Sequence, residues 1–396
     1  MASIRDRVAI IGMGCTKFGE LWEESFYDLV VDSCYQAFED AAVRPDEIQA
    51  AWIGTNYGYH RGTGLVPLHL ENIPMSRLEN ACATGTDALR NAAYAVAAGV
   101  YDIVLVSGVE KTKDYGFSGL PVSPPSYPEM AMSQGRPAVP MPSQFALMAN
   151  RYFHHYGIDP DQGKRALAKI SVKNHHNGTL NPLAHLRREV TVEQVLKSPI
   201  IAKPLGLLDC CGVSDGAAAA ILTRPEIAER YRDDYILIKG LGVACGDEYA
   251  QMRPEFDWTH WKENLAAAER AYEEAGITNP RDQIDVAEVH DCFTINEMIT
   301  YEDLGFSPRG KAMEDIDSAF FELEGGLPVN PDGGLKSFGH PIGASGIRMV
   351  YEIYLQLRGK AGPRQVKDAR VGLTHNIGGW PGAFTSAIGI FGRKES

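Results

Sequence analysis

At 396 residues, with 44% hydrophobic and 22% charged side chains, the chain has the composition of an ordinary globular protein and enough length for one large domain or two fused ones. Its 51 acidic against 38 basic residues give a formal charge of -13, which argues against nucleic acid as the main partner and leaves any anionic ligand to local features. No run approaches the ~20 apolar residues of a membrane span, and Val8–Met13 is too short for a signal segment, so a cytoplasmic location is expected.

The first predicted element is a β-branched strand, Val8 to Gly14. An Ala-rich amphipathic helix follows, closing near Ala42, then an acidic turn at Pro45 and a short buried strand ending at Gly54. Cys82 stands at the threshold of the next helix, which runs to Gly99. A thiol at a helix N-terminus feels the positive end of the dipole and unpaired N–H groups, so a thiolate is expected there. Alone, Cys82 reads more readily as a small buried apolar residue. An apolar strand, Ile103 to Val109, ends this part.

From about residue 111 to 234 the pattern breaks. The Pro- and Met-rich stretch Leu120 to Pro142 cannot be regular secondary structure and reads as an excursion over a site. Tyr115, Phe117, Tyr127, Met130, Met132 and Met141 of the excursion are candidates to line an apolar pocket, and ordinary packing explains them equally well. A helix from Ser143 to Tyr156 and a buried strand, Gly216 to Leu222, follow.

Beyond it the opening pattern returns: a strand from Tyr235 to Gly242, an amphipathic helix with a Pro-containing turn across 270–283, and a short strand, Ile284 to Glu288. A Gly/Ala-rich turn then opens a long helix from Gly343 to Gly359, and Val371 to Ile377 closes as a strand. Two similar halves indicate a duplicated α/β unit with parallel sheets covered on both faces. The expected division is 1–110 with 210–234 as the N-terminal half, 111–209 as a loop domain and active-site cover, and 235–396 as the C-terminal half.

The cysteines, at 15, 34, 82, 210, 211, 245 and 292, form no Cys-x-x-Cys and no regular framework, which predicts reduced thiols and no metal. The pairs His154-His155 and His175-His176 lack the i,i+4 spacing of a metal clamp. Three segments change the odds on Cys82. His290-Asp291-Cys292-Phe293 follows a strand end, where open α/β sheets place ligands. His340 sits in Gly339-His340-Pro341-Ile342-Gly343-Ala344-Ser345-Gly346, fixed by the proline after it. His375-Asn376-Ile377-Gly378-Gly379 ends the last-but-one strand. Together they supply a nucleophile, proton-transfer groups and backbone donors.

Ala81-Cys82-Ala83-Thr84-Gly85, Asn330-Pro331-Asp332-Gly333-Gly334 and the His340 segment resemble the thiolase superfamily. His290-Asp291-Cys292-Phe293 with His375-Asn376-Ile377-Gly378 is similar to its sterol-carrier-protein-2-type group, as are Lys173 to Gly178, Leu208-Asp209-Cys210 and Ser214-Asp215-Gly216. The resemblance implies a five-layered α-β-α-β-α fold with a loop-domain excursion, a homodimer or dimer of dimers, and coenzyme A as cosubstrate. It implies Cys82 as acyl-accepting nucleophile, and His340 as its activator and an oxyanion-hole member. His290 would orient a water or donate directly, and Cys292 would be the acid/base. The N–H groups of Cys82 and Gly378 would form a second oxyanion hole, with His375 and Asn376 in support. Many thiolases carry Cys-x-Gly where this chain has Asn376-Ile377-Gly378, so the proton transfer falls to Cys292. Lys111, Lys113, Arg151 and Arg187 are candidates for CoA phosphates, against an ordinary role as solvated charge. Some relatives work with a small zinc-ribbon/OB-fold partner, and others act as CoA-ester retro-aldolases; Cys82 speaks against the latter.

Overall fold

The computed structural model describes residues 3–58, 62–115, 140–247 and 250–394. The N-terminal part carries β1 (Ala9–Cys15), α1 (Phe26–Ala41), β2 (Ala50–Gly54), β3 (Met75–Leu78), α2 (Thr84–Ala97) and β4 (Ile103–Lys111). Then come α3 (Met141–His155), α4 (Pro160–Thr179) and a small hairpin, β5 (Ile200–Ala202) with β6 (Leu205–Gly206). β7 (Asp215–Thr223) returns to the sheet, followed by β8 (Ile236–Cys245), α5 (Lys262–Ala275), β9 (Val286–Glu288) and α6 (Thr294–Asp303). α7 (Ile342–Leu357), β10 (Val371–Trp380) and β11 (Ala383–Arg393) complete the chain.

Local signals explain the ends of these helices. Ser25 caps α1 and exchanges hydrogen bonds with Asp28, and Ala42 closes that helix in a left-handed conformation. Gly276 does the same for α5, the counterpart in the second half.

The strands form one nine-stranded sheet in the order β3-β2-β4-β7-β1-β8-β11-β10-β9. It is mixed rather than parallel as the helix–strand alternation suggested. Only β2 with β3, β2 with β4, and β9 with β10 run parallel. β7, which returns beside β4 after α3 and α4, and β11, which follows β10 by a tight turn, pair antiparallel with β1 and β4 and with β8 and β10. The halves meet through a narrow join, Ala9 opposite Leu237 and Ile10 opposite Ile236.

Period-two alternation sorts β7 between two cores. Ala217, Ala219 and Ile221 pack with α1, while Ala218, Ala220 and Leu222 pack with α2 and α7. In the second half, Leu373, Ile377, Ile388 and Ile390 pack with the alanines of α5. α7 touches β4 and β7 near one end of the sheet and β9 and β10 at the other. The sheet therefore curls around a central helical layer, giving the five layers α-β-α-β-α. α2 and α7 lie close enough that a Cβ added to Gly346 would stand 2.4 Å from the Thr86 backbone nitrogen. That contact brings the N-termini of the two central helices together.

Candidate active site

The nucleophile candidate sits on a strand–turn–helix corner. Between β3 and α2, Ala81 adopts a positive φ of 48°, a conformation uncommon for a residue with a side chain. The Asn80 N–H donates to Thr84 Oγ1 at 2.8 Å, and that hydroxyl donates to the Ala81 carbonyl at 2.6 Å. The turn is thus fastened to the first residue of α2, with Cys82 at its crest and half-buried.

His340 faces it from the other half, Nε2 lying 3.1 Å from Cys82 Sγ. The tautomer follows from the partners. Ser345 Oγ lies 2.9 Å from the Pro341 carbonyl, which can only accept, so the hydroxyl donates there and accepts from His340 Nδ1–H at 2.7 Å. Nε2 is left with its lone pair toward the sulfur. Burial, with the Arg348 charge adding to it, holds the His340 ring down to about 3, so the imidazole is a neutral base at rest.

The thiolate expected at Cys82 is not the resting form. Burial pushes the thiol up to about 12, and Glu110 and Glu79 push in the same direction. Among the described residues the first helical position is Thr84, so Cys82 precedes even the N-cap, Ala83, and desolvation outweighs what the helix end offers. Cys82 and His340 form a neutral thiol–imidazole pair.

His290 completes a triad: a ring nitrogen of each histidine and the Cys82 sulfur all lie within 4.8 Å of one another. Asn376 Nδ2 donates to His290 Nδ1 at 3.3 Å while its Oδ1 accepts from Thr86 at 2.6 Å, so His290 keeps its proton on Nε2. Burial, then the neighbouring His340 and His375, hold its pKa well below the usual histidine range. His375 is a brace. Asp303 takes the Asn264 amide N–H at 3.0 Å, leaving Asn264 Oδ1 to accept His375 Nε2–H at 2.9 Å. His375 Nδ1 in turn accepts the His290 backbone N–H at 3.4 Å. The His375 segment lies inside β10 rather than at its end.

Gly378 is pressed against the nucleophile turn: an added Cβ would stand 2.1 Å from the Asn80 carbonyl oxygen and 2.8 Å from the Cys82 nitrogen. The backbones of Gly378 and Cys82 are therefore neighbours. Cys292 lies outside the 4.8 Å triad but near enough to Cys82 and Cys211 that their charges raise its pKa, after burial as the first cause. Cys211, to which the sequence assigned no role, donates its N–H to the Cys292 carbonyl at 2.9 Å.

Other residues singled out in the sequence lie in buried networks or on the surface. Lys173 pairs with Glu297 at 2.8 Å, and Asn174 bridges Glu297 and Asp291 at 2.6 and 2.7 Å. Asp291 also receives the N–H groups of Leu335 and Lys336, so this buried network ties the His290–Cys292 segment to the one leading to His340. His175 spans the Arg188 carbonyl and Lys336, whereas His176, His154 and His155 are exposed. Lys111 and Lys113 are neither solvated nor free: they are buried against Asp215 and Glu20 at 3.1 and 2.6 Å. Arg151 and Arg187 are exposed, and among the described residues they reach the carbonyls of Asp257 and Thr179. Phe117, Tyr127, Met130 and Met132 lie outside the described residues, as does the Tyr115 side chain; Met141 packs against the core.

Glu110 went unread in the sequence. It accepts from the Thr55 hydroxyl and the backbone N–H groups of Asn56, Tyr57 and, across the halves, Gly343 in the first turn of α7. An acid closing a buried strand was the only signal for it.

Residues 8–226 match the family model of the thiolase N-terminal domain, and 244–392 that of a thiolase C-terminal domain-like unit. The chain belongs to the thiolase family. It is 42% identical over 393 residues to an acetyl-CoA acetyltransferase of Methanothermobacter thermautotrophicus, covering 98% of this chain and 99% of that one. It is 34% identical to sterol carrier protein 2 of Gallus gallus, covering 95% of this chain and 70% of the relative. Among solved structures, the Ltp2-ChsH2(DUF35) aldolase superposes with a TM-score of 0.85 at 25% identity over the whole of both chains. The enzyme is thus an acyltransferase of the sterol-carrier-protein-2-like kind. Among the described residues no helix is long and apolar enough to cross a membrane.

Proposed function

We propose that the enzyme catalyses CoA-dependent thiolytic cleavage of a 3-oxoacyl-CoA, and the reverse Claisen condensation, through an acyl thioester on Cys82. The observation that carries this is the 3.1 Å contact between Cys82 Sγ and a His340 Nε2 held in the basic tautomer. The thiol proton passes to Nε2 as sulfur attacks the 3-oxo carbon. Collapse of the tetrahedral alkoxide breaks the carbon–carbon bond and releases a CoA-ester enolate, which Cys292 protonates. The raised pKa of Cys292 keeps a proton available for that step. A second CoA thiol gives its proton to the Cys292 thiolate and attacks the acyl-Cys82 carbonyl; the departing Cys82 sulfur takes back the proton held on His340, and the acyl group leaves as its CoA ester. His290 Nε2–H and His340 are assigned to the enolate oxygen, the N–H groups of Cys82 and Gly378 to the tetrahedral oxyanion. Each such donor is worth roughly 3 kcal/mol of barrier.

Incubation with acetoacetyl-CoA should add an acetyl mass to Cys82 of the unaltered enzyme. Cys82→Ala should give neither adduct nor cleavage, and Cys292→Ala should retain the adduct without completing turnover. Full turnover by Cys82→Ala would sink the assignment.

The same reading assigns residues 111–209 as the cover over Cys82, a homodimeric or dimer-of-dimers assembly, and a cytoplasmic location. A CoA-ester retro-aldolase, working with a small partner protein, is the second reading, supported by the likeness to the Ltp2-ChsH2(DUF35) aldolase. Release of a free aldehyde or ketone without consumption of CoA would select it.

A further inference from the structure

The three groups assembled for acyl transfer are also a donor set for a soft cation. Cys82 offers a sulfur and His290 and His340 one ring nitrogen each, all mutually within 4.8 Å. A tetrahedral zinc with bonds of roughly 2.0–2.3 Å has ligand–ligand edges of roughly 3.3–3.8 Å. The Cys82–His340 edge is 3.1 Å, so movements of under about 1 Å bring three corners into place.

The surroundings favour a cation there. The charges of Glu110 and Glu79 act on Cys82, while that of Arg348 acts on both histidines in the opposing sense. Each ring already has its far nitrogen engaged: His340 Nδ1–H is held by Ser345, and His290 Nδ1 lies 3.3 Å from the Asn376 amide. Outer hydrogen bonds of this kind orient metal-ligating imidazoles. His290 needs one adjustment, because its Nε2 carries the proton. The Asn376 amide meets a hydroxyl, Thr86, that accepts as well as it donates. Turning the amide presents Oδ1 to His290 Nδ1–H and frees Nε2.

We propose that Cys82, His290 and His340 form a site for one thiophilic divalent cation of the zinc class, whose binding withdraws the nucleophile and switches acyl transfer off. The step balances: Cys82 S–H becomes S–M, one proton leaves to solvent, one bound water remains in the fourth position, and no oxidant is involved.

Co2+ serves as the probe on the intact, reduced enzyme in the absence of any acyl-CoA. It should bind with a stoichiometry of one per chain and give the intense near-ultraviolet thiolate band and the visible bands of tetrahedral coordination. Cys82→Ser should abolish the thiolate band, and His340→Ala and His290→Ala should each weaken binding at least tenfold. Asn376→Asp, which can only accept from His290 Nδ1–H, should tighten it about tenfold. Cys245→Ser, removing the exposed thiol elsewhere on the surface, should leave the spectrum unchanged. In unaltered protein, stoichiometric Zn2+ should displace Co2+ and protect Cys82 from iodoacetamide, read by peptide mass spectrometry. A thiolate band that survives Cys82→Ser, binding indifferent to both histidine variants, or alkylation of Cys82 unaffected by Zn2+ would each overturn the proposal. None of these readouts requires turnover, so their failure is separable from failure of the thiolase assignment.

Discussion

The two central helices, α2 and α7, open on the same cluster of Cys82, His290 and His340 from the two halves of a duplicated fold, and they open differently. Before α2 the chain passes through a left-handed Ala81 and places a half-buried sulfur at the crest of the turn. Before α7 it passes through His340-Pro341, and the imidazole is buried and locked to Ser345 within its own first turn. Neither helix has a side-chain cap of its own. α7 instead borrows a carboxylate, Glu110, from β4 of the other half. The same element thus serves twice, once where a nucleophile must stay approachable and once where a base must stay oriented.

Removing the base should break this division most severely. We predict that His340→Ala lowers kcat for acetoacetyl-CoA thiolysis by about 10³-fold, within the range for a positioned general base. Cys82 should remain alkylable at high pH. A loss below tenfold would show that the thiol is activated elsewhere. Next comes Gly378→Ala. Its Cβ would collide with the Asn80 carbonyl and displace the Cys82 turn, so a loss of about 10²-fold in kcat is expected, with a lower Tm by thermal melting. Wild-type rates would show that the turn gives way without cost and that Gly378 holds no oxyanion donor in place.

How far these differences could be read before the fold was known depends on how local they are. Cys82 and His340 stood out because each lies at a Gly/Ala-rich entry to a predicted helix, a feature of neighbouring residues. The His290 and Asn376 segments were legible from their local motifs, although Asn376 lies inside β10 rather than at a strand end. The tautomers were not, because they depend on contacts such as His375 with Asn264, 111 residues apart in the chain. Glu110 and Gly343 are 233 residues apart and gave no local pattern. The thiolate expectation failed because a helix end is visible in sequence and desolvation is not. The parallel-sheet expectation failed similarly, since β7 and β11 look like any buried strand until their neighbours are known.

Ser345 tests orientation without removing the base. Ser345→Ala deletes the acceptor that holds His340 Nδ1–H, and a net bond of ~1.4 kcal/mol corresponds to about tenfold in the fraction of productive tautomer. The expected result is a roughly tenfold lower kcat at unchanged KM, partly recovered in Ser345→Thr. An equal loss in both variants would assign Ser345 to helix packing instead.

The smallest effect sharpens the comparison furthest, because it links the two helix entrances. Glu110 raises the Cys82 pKa and also receives the Gly343 N–H at the start of α7. With the thiol at about 12, its thiolate fraction grows tenfold per pH unit, so iodoacetamide alkylation of free enzyme should rise with unit slope from pH 7 to 10, without a plateau. Glu110→Gln removes the charge that opposes the thiolate, lowering the Cys82 pKa. The alkylation rate should therefore be a few-fold higher at every pH, on a parallel line. The amide NH2 must then face donors that converged on a carboxylate oxygen, so stability should fall by about 2 kcal/mol, seen in urea unfolding. Faster alkylation with lower stability would mean that one carboxylate restrains the nucleophile at α2 while completing the N-terminus of α7. An unchanged alkylation rate with the same loss of stability would confine Glu110 to α7, leaving burial and Glu79 to set the Cys82 thiol.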